Sequence, residues 1–229
     1  MIGRWRRPAV FQTGVQVSSL DTGPSCEAAD SEADFRRCCA VDGHGLLAFV
    51  RSAPAERLLV DGAELARLRQ SDGDDVAAAV RVSLIHLRPW MPWATEAAAD
   101  PVAQRARGRE AELHWDQGSD YSYVLRHSEN GAILGMFGLH RRVGPTALEI
   151  GYWLHPDYLG RGYATRSVGV LTEVALSLGD VDRIEIHTDE ANKASAAIPR
   201  RLGYRLDRIE PKTPQASGET DRKQIWVTP

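Results

Sequence analysis

Two glycines, Gly160 and Gly162, stand just before an apolar pattern of helical spacing and could bind a phosphate group. Glycine lets the chain turn sharply and lets a ligand approach the backbone. A helix that begins there presents unpaired N–H groups and the positive end of its dipole. Arg161 and Thr165 could add a charged contact and a hydroxyl contact. The pattern alone leaves another interpretation open, a tight turn whose glycines serve geometry only.

The elements around this turn follow from the hydrophobic periodicity. Residues 147–155 alternate as a strand, and residues 162–178 carry an apolar stripe of a helix that Gly179 is expected to end. The other predicted elements are, in chain order, strand 63–69, a helix containing 76–84, helix 100–116 with Asp100 as its cap, strands 121–126 and 132–140, strand 183–188, helix 192–202 closed by Gly203, and strands 204–209 and 224–228.

This order predicts an α/β fold with a mixed, mostly antiparallel central sheet flanked by helices. Three consecutive strands are joined by tight turns, with Asn130-Gly131 at the first of them. A doubly wound dinucleotide fold is therefore excluded.

Composition limits the classes of partner. The chain has 229 residues and a formal net charge of −3, so it has no global basic field and we expect no nucleic-acid partner. No apolar run reaches the roughly 18 residues of a membrane span, so we expect no membrane partner. The three cysteines are odd in number and include no CxxC pair, which predicts neither a disulfide scaffold nor a zinc site and favours a cytoplasmic location.

Residues 1–55 differ in character from the rest of the chain. They contain Ser, Gly, Pro and acidic stretches without helical or strand period, which predicts a partly disordered N-terminal extension. A basic opening over residues 1–7 keeps a transit peptide open as an alternative. The predicted globular domain spans residues 56–229.

Three segments resemble a known family. Residues 149–167, EIGYWLHPDYLGRGYATRS, closely resemble the GNAT N-acetyltransferases, specifically the RimJ/RimL-like branch. Residues 189–204, DEANKASAAIPRRLGY, resemble the Asn-x-x-Ser helix of that branch, and residues 87–93, LRPWMPW, are a softer match. The resemblance covers roughly residues 63–228, whereas residues 1–55 have no counterpart.

The resemblance implies an acetyl-CoA site, without a metal, in which two central strands splay apart to admit the pantetheine arm. The backbone of three strand residues would face that arm: Tyr152, Trp153 and Leu154. The pyrophosphate would lie on the turn and the helix start, formed by Gly160, Arg161, Gly162, Tyr163, Ala164 and Thr165. Leu159 stands where the family usually has Gln or Arg, which removes one polar contact.

The resemblance also implies roles for Asn192 and Ser195. Asn192 would bridge its helix and the cofactor, and Ser195 would lie near the thioester sulfur as a proton donor to the leaving thiolate. A simpler interpretation is that Asn192 caps the helix and Ser195 lies on its first turn. For Asn192 we expect both roles.

Acetyl transfer needs a neutral amine, so a base must accept a proton. Glu149 is the predicted base, on the same face of its strand as Trp153, where aromatic surroundings could raise its pKa. The alternative is a strand carboxylate that faces solvent or pairs with an arginine. His187 is a plausible proton relay, although a histidine there more often has a structural role. Arg142, with its neighbour Arg141, is expected to be a solvated strand end.

Trp90 and Trp93 lie on a proline-containing segment that ends the first helix. We predict that they wall the acceptor pocket, although bulky aromatic residues at a helix end can equally plug a core.

The predicted function is N-acetyl transfer from acetyl-CoA to a primary amine by direct attack in a ternary complex. The leading acceptor is a protein N-terminal α-amine of ribosomal-protein type, because the family's eponymous members modify such termini. A small-molecule amine, including an antibiotic or an amino acid, is an alternative, as is a non-catalytic acyl-CoA-binding module. A P-loop phosphotransferase is disfavoured because no Gly-Lys-Ser/Thr follows the glycines. A homodimer stays open.

Overall fold

The computed structural model describes residues 53–228 and, before them, the backbone of two short paired strands, β1 (Ala40–Val41) and β2 (Leu47–Ala48). The chain divides into two compact units, Met1–Leu47 and Ala48–Pro229. The predicted extension over residues 1–55 and all three cysteines fall almost wholly outside the described residues, so the boundary at residue 56 stays a prediction.

The second unit contains one sheet of eight strands in the order β3-β4-β5-β6-β7-β8-β10-β9. All neighbouring pairs are antiparallel except β7 and β8, which are parallel. This arrangement confirms the predicted fold class, although strand β3 was not anticipated. The strands are β3 (Arg57–Val60), β4 (Ala63–Arg67), β5 (Asp120–His127), β6 (Ile133–His140), β7 (Ala147–Leu154), β8 (Arg183–Asp189), β9 (Arg205–Pro211) and β10 (Arg222–Val227).

Four α-helices accompany the sheet in the described part of the chain: α1 (Gly73–Leu87), α2 (Pro101–Asp116), α3 (Tyr163–Leu176) and α4 (Lys193–Arg201). Short 3-10 turns lie at Gln70–Asp72, Glu96–Ala99 and Pro156–Tyr158. No described helix combines the length and the apolar character needed to cross a membrane.

Two of the predicted helix signals are confirmed and one is wrong. Asp100 caps α2 by accepting hydrogen bonds from two backbone N–H groups, and Gly203 has the left-handed φ of +80° expected just after α4. Gly179 was expected to end α3, but the helix ends at Leu176 and Gly179 is not left-handed. The last turn is closed instead by Ser177, whose N–H and hydroxyl both donate to carbonyl groups of that turn.

Alternate strand residues face two hydrophobic clusters, so helices pack on both faces of the sheet. Phe137 belongs to the cluster that contains Leu171 of α3. Its neighbour Met136 belongs to the cluster that contains Leu84 of α1, together with Trp153.

Strands β7 and β8 separate soon after they meet. They pair only over Ala147 to Glu149 of β7, opposite Arg183 to Glu185 of β8. Beyond Glu149, β7 continues to Leu154 and β8 to Asp189 without pairing to each other. This gap is the splay implied by the family resemblance, and it leaves one edge of β7 free to bind an extended ligand.

Candidate active site

The turn before α3 has the geometry expected of an anion site. Gly160 and Gly162 have φ angles of +72° and +80°, which favour glycine, and a Cβ at Gly160 would meet no atom within 4 Å. The helix begins at Tyr163, and its first backbone hydrogen bond runs from Arg166 N to Gly162 O at 3.1 Å. Among the described residues, the N–H groups of residues 160–165 have no hydrogen-bond acceptor, so they can bind a ligand.

Two guanidinium groups flank this turn. The Arg161 guanidinium lies over the ring of Tyr158 at 5.4 Å, and that of Arg166 lies over the ring of Tyr163 at 4.8 Å. Arg166 also donates a hydrogen bond to the Arg161 carbonyl at 3.1 Å. Positive charge is therefore held beside free N–H groups, a combination that suits a phosphate group.

The gap between β7 and β8 brings Tyr152 against the first turn of α4. The Tyr152 hydroxyl lies 3.1 Å from both the carbonyl oxygen and the Oγ of Ser195. Asn192 caps α4 by accepting a hydrogen bond from Ser195 N at 3.1 Å. Burial raises the pKa of Tyr152 to about 12, so its hydroxyl keeps its proton at neutral pH. The capping interpretation of Asn192 is thus observed, and its contact with a cofactor stays a prediction.

A cavity of about 580 Å³ extends from this gap to the segment that carries the two predicted acceptor-site tryptophans. Seven of the predicted site residues line it together, from three parts of the chain: Trp90, Trp93, Glu149, Tyr152, Trp153, Asn192 and Ser195. Leu154 and residues 160–165 do not line this cavity. The predicted site therefore has two parts, the cavity and the glycine turn.

A row of small residues crosses the part of the sheet that lines the cavity and leaves space above it. The strand register places Ser122, Gly138 and Gly151 side by side on β5, β6 and β7. The neighbouring row of the same face is polar and runs across four strands: Asp120, His140, Glu149 and Glu185. Asp120 and His140 were not among the predicted site residues. Strand alternation could have placed His140 on this face, but only the register shows its neighbours.

Glu149 forms a two-pronged ion pair with Arg142, whose Nε and Nη2 lie 2.8 and 2.7 Å from the two carboxylate oxygens. The Nδ1 of His187 lies 3.5 Å from Glu149, while its Nε2 lies 2.6 Å from Glu185. Burial raises the pKa of Glu149, but the Arg142 hydrogen bonds and the nearby positive charges outweigh burial and lower it. The expected raised pKa is therefore wrong. Of the two arginines expected to be solvated, Arg142 is exposed although it pairs with Glu149. The expectation is wrong for Arg141, whose side chain is buried and lies 2.9 Å from Asp180.

Trp93 both walls the cavity and packs into the core. Its ring lies 6.3 Å from that of Trp153, and the guanidinium of Arg107 lies over it at 5.7 Å. The tryptophan segment is joined to the β9–β10 connection by a hydrogen bond of 2.8 Å from Gly218 N to Pro89 O. Both interpretations of the tryptophan at this helix end are thus compatible with its position.

The carboxylates that line the cavity are each paired with a cation. Glu149 pairs with Arg142, and Lys212 lies 3.1 Å from Asp189 and 2.6 Å from Glu219. The described residues include no group of three or more His, Cys, Asp or Glu side chains that could hold a metal ion. The cavity is thus polar but not strongly acidic.

Comparison with protein families gives a match over residues 64–205 to the family model described as "Acetyltransferase (GNAT) domain". A curated relative from Bacillus subtilis (strain 168), named "Putative ribosomal N-acetyltransferase YdaF", is 32% identical over 77 residues. That match covers 33% of this chain and 42% of the relative, so it spans less than half of the relative's length.

Solved structures share the fold. The ribosomal-protein-S5-alanine acetyltransferase from Vibrio fischeri aligns with a TM-score of 0.69 and 20% identity, over 75% of this chain and 95% of that one. Mycobacterium smegmatis RimJ, solved in complex with CoA-disulfide, aligns with a TM-score of 0.67 and 16% identity, over 77% of this chain and 87% of that one. At these identities, the likeness is one of fold.

Proposed function

Because the chain belongs to the GNAT acetyltransferase family, as its sequence predicted, we propose that it transfers the acetyl group of acetyl-CoA to a primary amine. The observation that carries this proposal is the separation of β7 and β8 beside a turn whose N–H groups are free. The separated strands suit the extended pantetheine arm, and the free N–H groups of the turn suit the pyrophosphate.

The residues present fit acetyl-CoA as the donor substrate. Residues 160–165 would hold the pyrophosphate through backbone N–H groups, with Arg161 adding charge. The unpaired edge of β7 at Tyr152 to Leu154 would bind the pantetheine arm. The donor, when bound, supplies an activated acetyl thioester. The binding of CoA-disulfide by the RimJ of similar fold supports this proposal.

The Tyr152–Ser195 pair is the proposed proton donor to the leaving thiolate. Both hydroxyls lie at the gap, 3.1 Å apart, and Tyr152 keeps its proton at neutral pH. A proton can therefore pass from Tyr152 to Ser195 as Ser195 gives its own proton to sulfur. Asn192 fixes the position of Ser195 by capping the same helix turn.

The proposed acceptor is a protein N-terminal α-amine. The names of the Bacillus subtilis relative and of the Vibrio fischeri enzyme point to ribosomal proteins as acceptors. A polycationic acceptor would be favoured by unpaired carboxylates around the cavity, whereas Glu149, Asp189 and Glu219 each have a cationic partner.

A thiol-release assay with acetyl-CoA and a panel of amines tests the proposal. Peptides that carry the N-terminal sequences of ribosomal proteins are expected to react faster than free amino acids or aminoglycosides. The matched control is the same peptides with a formylated N-terminus, which should release no thiol. If thiol release persists with the formylated peptides, the α-amine is not the acceptor. If none of the amines in the panel causes thiol release, the proposed transferase activity is wrong.

A further inference from the structure

The imidazole of His140 lies over two glycines of the sheet, Gly138 and Gly151, in the cavity. A Cβ added to Gly138 would come within 2.6 Å of His140 Nε2, and one added to Gly151 within 3.0 Å. Both distances are shorter than ordinary contacts, so the two glycines leave the space that the ring occupies. Gly151 lies just past Glu149, the last position at which β7 pairs with β8. The ring is therefore directed toward the start of the gap.

Asp120 fixes the orientation of this ring. Its Oδ2 lies 2.5 Å from His140 Nδ1, and the strand register places the two residues opposite each other. A carboxylate at Nδ1 keeps the proton on that nitrogen and leaves the lone pair on Nε2. Among the described residues, Nε2 has no hydrogen-bond partner, so it is free to accept a proton from a ligand in the cavity.

The neighbouring candidates for a base are already occupied. Both oxygens of Glu149 accept hydrogen bonds from Arg142, and its pKa is lowered, so it is a weak proton acceptor at neutral pH. The second histidine of the cavity, His187, has Nε2 against Glu185 and Nδ1 near Glu149. Of these side chains, His140 has the proton-accepting atom without a partner.

We propose that His140 is the general base of the transfer and that Asp120 is its positioning residue, an inference that rests on the proposed function. The ammonium form of the acceptor gives one proton to Nε2. The amine lone pair then forms the C–N bond to the acetyl carbon while the C–S bond breaks and its electrons leave on sulfur. The second amine proton passes to solvent as the amide forms. The thiolate takes one proton from Ser195, which is restored from Tyr152 and then from solvent, and His140 returns its proton to solvent.

The charged and titratable groups at and around the Asp120–His140 pair come from several elements of the fold. Asp120 on β5 and Glu149 on β7 contribute negative charge, and Arg142 after β6 and Arg107 on α2 contribute positive charge that acts on Asp120. The Nδ1 of His187 on β8 lies 3.5 Å from Glu149. The pair is thus held between carboxylates and guanidinium groups that partly cancel.

The test compares wild type with H140Q in pH profiles of kcat/KM. We expect H140Q to lower kcat/KM about 100-fold at neutral pH, the low end for general-base catalysis, and to remove the acid limb of the profile. H114Q, the same change on α2 outside the cavity, should retain the wild-type profile. Acetyl-CoA affinity by calorimetry should be unchanged in H140Q, which also shows that the variant folds.

Two further variants test whether His140 acts as the base or only supports the structure. G138A keeps His140 but places a methyl group where the ring lies, so it should reproduce the loss. D120N should lower kcat/KM about tenfold and alter the acid limb without removing it, because the ring loses the carboxylate that fixes its orientation. In contrast, E149Q should retain the acid limb of the kcat/KM profile.

The outcomes distinguish this inference from the proposed function. An active wild type together with an H140Q variant that retains the acid limb would overturn His140 as the base and leave the transferase in place. Loss of the limb in E149Q instead would move the role to Glu149. A wild type that binds acetyl-CoA but acetylates no amine of the panel would overturn both the function and the base.

Discussion

The proposed donor half and the proposed acceptor half of this site are built in different ways. The donor half, defined as residues 160–165 with the gap between β7 and β8, uses backbone groups of two nearby segments, residues 152–154 and 160–165. The acceptor half, defined as the cavity floor with His140, Glu149 and Trp93, uses side chains from separate strands and loops. A site built from local backbone depends on glycine and helix geometry, whereas one built from side chains depends on strand register.

G162V is the strongest test of the donor half. Gly162 has φ +80°, and its added side chain would also meet Arg166 Nη1, so the turn must rearrange and its N–H groups lose their common direction. We expect acetyl-CoA binding to weaken by at least about 100-fold in calorimetry, equivalent to about 2.7 kcal/mol.

The matched control for this variant is G179V. Gly179 lies after α3, is not left-handed, and has no atom within 4 Å of an added Cβ. It should bind acetyl-CoA like wild type. Equal binding by G162V and G179V would show that the donor half does not depend on the glycine turn.

The same contrast explains how far the sequence could predict the molecule. The α/β class, most element positions and the glycine turn follow from periodicity and local glycine chemistry, and they agree with the structure. The pairing of Asp120 with His140 does not follow from local patterns. A register shift between Leu125 and Arg126 of β5 changes which residues of β6 stand opposite them. Counting from the hairpin turn alone would place Leu139 opposite Asp120.

The ion pair of Glu149 could not be predicted for a related reason. The arginine alternative was open in the sequence, but the choice depends on how the residues after β6 turn back toward β7. Aromatic neighbours suggested a raised pKa, but the hydrogen bonds from Arg142, together with nearby positive charges, lower the pKa of Glu149.

E149Q tests the acceptor half through stability. Glu149 is 8% exposed and loses two charged hydrogen bonds, while the Arg142 side chain is 59% exposed and partly screened. We expect the free energy of unfolding at neutral pH to fall by about 1.5 kcal/mol, with kcat about fivefold lower and acetyl-CoA affinity unchanged.

The difference in unfolding free energy between wild type and E149Q should shrink as the pH falls. Because the folded-state pKa of Glu149 lies below its ordinary value of 4.5, the stabilisation that Glu149 provides is present above that pH. It is lost as the pH falls through the lower folded-state pKa. Denaturant unfolding of wild type and E149Q at neutral and acidic pH should therefore converge in acid. If the difference in unfolding free energy between wild type and E149Q grows at acidic pH, the ion pair is not its cause.

S195A tests the contact at which the two halves meet. Removing the hydroxyl breaks the 3.1 Å contact with Tyr152, and we expect kcat to fall about tenfold, the effect of one hydrogen bond of about 1.4 kcal/mol. Acetyl-CoA affinity should stay within about twofold of wild type. S177A, which removes a hydroxyl at the end of α3, is the control. Equal kcat values for both variants would remove Ser195 from proton transfer.

Asn192 gives the smallest effect and the sharpest division between backbone support and ligand contact. N192A removes the cap of α4 and should lower the free energy of unfolding by about 1 kcal/mol. N192S restores an oxygen that can accept the Ser195 N–H but supplies no amide donor. If Asn192 both caps the helix and binds the cofactor, N192S recovers the stability while its acetyl-CoA affinity stays reduced. Recovery of both would restrict Asn192 to the cap and leave the donor half dependent on backbone groups alone.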